Sequence, residues 1–189
     1  MVPPSAARSR MEPRNEPTVY EPLAFFTSIA FSCVAWGVVL AHYIWPAPRG
    51  RARTDALRPL LALHSFRFLG LAFLVPGVVS PDLPWRFAAP AAFGDVAAAM
   101  LALVTLRFLE SGAGVPFAWV FNVWGSIDLV NRFYQANATG LAPGQLGAAY
   151  CIPTLNVPLL LITHVLMFRV LLQHRPQPAM RDMRLSHAR

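Results

Sequence analysis

Residues 59–79 read PLLALHSFRFLGLAFLVPGVV, an apolar run whose one full charge, Arg67, sits near its middle. A helix needs about 20 such residues to cross a hydrocarbon core of about 30 Å. Four further runs of this kind cover 23–45, 88–109, 116–134 and 148–172. Hydrophobic residues make up 56% of the 189-residue chain and charged residues only 13%. A soluble domain carries about 25% charge, so the size and composition leave room for one membrane domain and no separate soluble one.

The reading is therefore all-α: a polytopic membrane helical bundle with five transmembrane helices. Residues 1–21 mix Pro, Arg, Glu and Ser without periodicity and are expected to form a disordered tail. The five-helix domain then covers 22–172, and 173–189 form a basic cytoplasmic tail. A cleaved signal peptide ending near Val39-Leu40-Ala41 is the alternative for the first run. That run exceeds the usual signal length and is preceded by Glu12, Glu16 and Glu21, which favours an uncleaved span.

All 16 basic residues are Arg and the net charge is +7. With no basic stripe on a soluble fold, nucleic acid is not an expected partner. The arginines gather at span ends. Arg49, Arg51, Arg53, Arg58, Arg107, Arg169, Arg175, Arg181, Arg184 and Arg189 fall on one side of the alternating topology. Arg8, Arg10, Arg14, Arg86 and Arg132 fall on the other. The positive-inside bias then sets the N-terminus outside and the C-terminus in the cytoplasm. Trp45, Trp85, Tyr134 and Tyr150 lie at span ends, where amphipathic rings prefer to sit. Arg without Lys, with abundant Ala and Pro, suggests a bacterial protein of the inner membrane.

The third run is dominated by small residues around Asp95, which lets neighbouring backbones approach closely and makes it the expected central helix. Pro76, Pro90, Pro153 and Pro158 are expected to kink helices. A sharper alternative has the 153–158 kink open a carbonyl onto a site. Cys33 and Cys151 read as small packing residues rather than a disulfide framework.

Ionisable groups inside spans are costly and mark candidate sites. Depth counting at about 1.5 Å per residue gives a cytoplasmic-half layer of His42, His64, Arg67 and His164. Asp95, Asp128, Asn131 and Asn156 form an outer-half layer. Arg67 lies closest to the boundary and is the best partner for Asp95. His64 and Arg67 share a face at i, i+3, extended by Leu60, Leu71 and Leu74. Asp128 and Asn131 share another with Trp124. Asp128 could instead pair with Arg132 at i, i+4 within its own helix.

Three functional readings compete. In the first, Arg67, Asp95, Asp128, Asn131 and Asn156 form a cluster that binds or moves a small solute or proton. In the second, His64 and His164 are axial ligands of haem b in a redox or sensing protein. Phe66, Phe68 and Phe168 would then supply the apolar shell, with Arg67 meeting a propionate. The third is a non-catalytic accessory subunit, partnered by the bilayer and by other membrane subunits or a second copy. In a structural reading, the two histidines simply hydrogen-bond neighbouring helices. No phosphate loop or zinc spacing is present, and an Asp95/Asp128 protease dyad lacks the flanking pattern, so an enzyme is not expected. The Asn137-Ala138-Thr139 acceptor triplet has no expected role.

The runs HSFRFLGLAFLVPG (64–77), FGD (93–95), WGSIDL (124–129) and IPTLNVP (152–158) resemble uncharacterised bacterial multi-pass inner-membrane proteins. The resemblance covers spans two to five and brings no activity with it.

The orientation is checked with an impermeant thiol reagent on intact cells, using a chain lacking Cys33 and Cys151. Thr139→Cys, in the outer loop, is expected to be labelled and Gly112→Cys, in the cytoplasmic loop, is not; the reverse pattern inverts the topology.

Overall fold

The structure is a computed structural model and describes residues 20–44 and 52–173. Both expected tails (apart from Tyr20, Glu21 and Gln173), and with them Trp45, Arg49 and Arg51, lie outside the described residues.

Helix α1 covers Tyr20–Val39 and widens into a π-helical turn over Leu40–Ile44. Helix α2 covers Arg53–His64 and continues without a break as 3₁₀ helix over Ser65–Leu74. Helices α3 and α4 cover Trp85–Phe108 and Gly114–Ala138. A 3₁₀ stretch at Pro143–Tyr150 and a π turn at Ile152–Asn156 lead into α5, Val157–Leu172. No strand occurs among the described residues.

Four helical segments are long and apolar enough to cross a membrane: Tyr20–Tyr43, Arg53–Leu74, Trp85–Phe108 and Ile152–Leu172. Helix α4 has the length, 25 residues, but carries Asn122, Asp128, Asn131, Arg132 and Gln135. Its buried face nevertheless includes Asn122, while Val120, Val123, Ile127 and Val130 are exposed. Apart from Asn131, which is exposed, those polar groups of the span point inward and branched apolar ones outward, which suits lipid rather than water. The assembly is that of a membrane protein.

Helix α3 is central, packing against α2, its 3₁₀ continuation and α4. Ala88, Ala91, Ala92, Ala98, Ala99 and Ala102 are all buried, so backbones meet across methyl groups. Two apolar cores result. One, near the α2 start, gathers Leu57, Leu61, Phe121, Met167 and Leu171. The other, at the opposite end, gathers Phe73, Phe87, Leu146 and Ile152. The polar groups lie between them. Segment 143–148 is tied to the loop after the 3₁₀ helix by Ser80 N to Gln145 O (3.0 Å) and Ala148 N to Val78 O (2.8 Å).

The 3₁₀ winding corrects the expected face of the second span. Three residues per turn align positions three apart. His64, Arg67, Gly70 and Phe73 are therefore the buried stripe, while Leu71 is exposed. Phe66 and Phe68 also point outward. His42 is exposed and apart from the other histidines, and both cysteines are free and exposed rather than packed.

Helix α1 is the least embedded element: Ser32 is its one buried residue among those described. It leans on the 143–156 segment and α5. Pro158 has no N–H to give to the carbonyl four residues back, so regular pairing fails here. The nearby Leu155 carbonyl accepts from Trp36 Nε1 (3.1 Å) and Ser32 Oγ (3.5 Å) of α1. Ser28 Oγ meets the Tyr150 hydroxyl at 3.3 Å. The Leu155 carbonyl, one residue after the one Pro158 leaves without a donor, thus anchors α1. Trp36→Phe is expected to loosen α1 by about 0.5–1 kcal/mol, the usual worth of an interhelical hydrogen bond in lipid. Faster proteolysis within α1 in detergent, with the other helices unaffected, is the measurement.

Candidate functional site

Arg67 reaches from the 3₁₀ segment into the bundle and its side chain is fully enclosed. Its Nε donates to Asp95 Oδ1 of α3 at 2.9 Å, and its Nη2 lies 2.8 Å from the same oxygen. Nη2 also donates to Asp128 Oδ2 of α4 at 2.6 Å. Nη1 points to the Gly125 carbonyl at 3.4 Å. One guanidinium therefore binds both acids, as its planar fork allows.

Arg132 completes the cluster. Its Nη2 donates to Asp128 Oδ2 at 2.6 Å and lies 3.7 Å from Asp95 Oδ1, while Nη1 donates to the Ala91 carbonyl. Both readings of Asp128 hold together: it pairs within its own helix and with Arg67. The quartet has two positive and two negative members, so it adds no net charge to a low-dielectric interior. An unpaired ion there would cost several kcal/mol.

Two glycines make the approach possible. A Cβ on Gly70 would collide with the Asp95 carboxylate, and a Cβ on Gly94 would collide with that of Asp128. Each acid lies under a glycine of the neighbouring element.

The expected outer layer is only partly assembled. Asp95, Asp128 and Arg67 come together, and Asn156 faces a cavity beside them. Asn131 and Trp124 are exposed and outside the cluster. Arg132 follows the buried Leu129 by three positions and Asp128 by four, so the helix turn carries Asn131 outward and Arg132 back in.

The two histidines lie one layer away, buried between α2, α4 and α5. Asn122 Nδ2 donates to the His164 carbonyl at 3.3 Å, so its Oδ1 accepts from His164 Nδ1–H at 2.7 Å. The Thr163 hydroxyl donates to the Leu159 carbonyl at 2.8 Å, so it accepts from His64 Nε2–H at 3.0 Å. His64 Nδ1 and His164 Nε2 are left without a partner among the described residues. The ring centroids are 4.3 Å apart, and Phe121 packs on both rings. Two axial ligands must leave a porphyrin between them, and rings in contact do not. Phe168 packs on Trp119, not on the histidines. The pair does not fit haem, and it joins helices instead. Among the described residues, no group of three or more His, Cys, Asp or Glu could hold a metal ion.

A cavity of about 470 Å³ opens at the end of the bundle nearer the second core. Phe25, Phe26 and Ile29 of α1 form one wall, and Leu129, Phe133 and Ala136 of α4 another. Asp95, Arg132 and Asn156 are its polar lining toward the quartet.

Buried ion pairs, small-residue helix contacts and apolar outer faces define a helical membrane protein with an internal polar site. Residues 24–172 match the family described as a domain of unknown function, DUF8737, and the chain belongs to it. No curated protein and no solved structure matches the chain.

Arg67→Met leaves two buried acids facing one arginine and is expected to cost about 3–5 kcal/mol. Combining it with Asp95→Asn restores neutrality and should recover more than half of that loss. Thermal melting in detergent measures both. Equal melting of the single and double variants would show that charge balance is not what holds the bundle.

Proposed function

We propose that this chain is a bacterial inner-membrane protein that binds a small solute in the cavity beside the Arg67–Asp95–Asp128–Arg132 quartet. Five helices cross the bilayer in this reading. Helix α4 is included because its outward face is apolar and its charged residues pair inside. The N-terminus lies outside, so the cavity occupies the outer half of the membrane.

The observation that carries the reading is the sharing of Asp95 and Arg132 between the quartet and the cavity wall. Ligand sites are concave and mostly apolar, with a few converging polar groups, in a range of about 300–1,000 Å³. This cavity has that character. The quartet supplies a rigid polar floor because each member is held by at least one other. The histidines stand behind Arg67 and hold α2 to α5 through Thr163.

Ala136→Trp places an indole in the cavity from the α4 wall and tests this directly. Chain purified in mild detergent is extracted and its co-purified small molecules are compared by mass spectrometry. The wild type is expected to retain a species that the variant loses at least about tenfold, a gap of some 1.4 kcal/mol in binding. The melting temperatures should be similar. Identical extracts from the two chains would leave the quartet as structural glue alone.

A further inference from the structure

Resting on the cavity reading above, we infer that the cavity takes an uncharged amphiphile: an apolar chain or ring body ending in a single hydroxyl or carbonyl group, drawn from the lipid phase.

The charge of the floor excludes an ionised head. Arg132 is already faced by Asp128 and Asp95, and Asp95 by Arg67 and Arg132. A carboxylate or ammonium would add an uncompensated charge to a site with no counter-ion left, at a large desolvation cost. The floor does have neutral hydrogen-bonding capacity to spare. The Asn156 side-chain amide lines the cavity and has no hydrogen-bond partner among the described residues, so it offers both donor and acceptor. Arg132 uses both terminal nitrogens, and its Nε–H has no partner among the described residues. One hydroxyl or carbonyl oxygen satisfies these groups, since it can accept from either, and a hydroxyl can also donate to the amide.

The walls select the rest of the molecule. Phe25, Phe73, Phe87, Leu146 and Leu160 present apolar surface above that floor. The mouth points to the source. Phe26 of α1 and Phe133 of α4 both line the cavity and yet are 66% and 51% exposed. Their helices share little packing, since α1 leans on α5 and the segment before it. The gap between α1 and α4 therefore opens sideways, toward acyl chains, while Leu141 and Pro143 cover the end of the bundle.

The test uses the full chain in lipid nanodiscs and three photoreactive probes of one chain length: an alcohol, a carboxylate and an amine. Labelled peptides are mapped by mass spectrometry. The alcohol is expected to label α1 and α4 cavity residues at least about tenfold over either ion, the discrimination set by burying an unpaired charge. Ala136→Trp should abolish that labelling. Asn156→Leu, which removes the free amide of the floor, should bring the alcohol down to the level of a matched alkane probe. Ion labelling equal to the alcohol overturns the inferred class and leaves the cavity reading standing. Absence of cavity labelling by all three probes overturns the inference, and the co-purification comparison then decides the cavity reading by itself.

Discussion

One guanidinium between two carboxylates organises this bundle. Arg67 comes from the second helical span, Asp95 from α3 and Asp128 from α4. These three elements cannot shift against one another without breaking a charge-assisted bond in a medium that offers no substitute. The surrounding choices follow. Gly70 and Gly94 are where the carboxylates need room, and the alanine face of α3 lets the backbones come that near. Arg132 brings the sum of charges to zero. Apolar clusters flank the pairs above and below.

The polar interior has two parts with different logic. The quartet is ionic, closed and adjacent to open space. The histidine layer is buried and tightly packed, with Asn122 fixing one ring and Thr163 the other. The first part borders a volume that can hold a molecule. The second holds three helices together, α2, α4 and α5.

The membrane class and the pairing of Arg67 with Asp95 were legible from residue types, because a charge in an apolar run has few ways to be satisfied. Arg132 was legible only as an i, i+4 partner of Asp128, since position near a span end is equally what a headgroup contact would show. The exposure of Asn131 is not legible, because i, i+3 from Asp128 does not say which side of Asp128 the core lies on. The winding of the second span's deeper half is not legible in the sequence. Phe66, Phe68, Leu69 and Leu71 surround Arg67 with apolar groups on every side, so no contrast of polarity betrayed a period of three. The sequence does carry a signal for Asn122: it lies about one turn before Gly125 and nearly two before Leu129, on the same face. The cavity had no local signal, since residues from six segments of the chain meet there.

The tighter winding after His64 also alters how far that span reaches. A 3₁₀ helix rises about 2.0 Å per residue against about 1.5 Å for an α-helix. Beyond Arg58, six residues of α2 and the ten of its continuation extend about 29 Å, where an unbroken α-helix would reach only about 24 Å. The hydrocarbon core is about 30 Å thick. The stretched backbone thus carries those sixteen residues about as far as the core is thick.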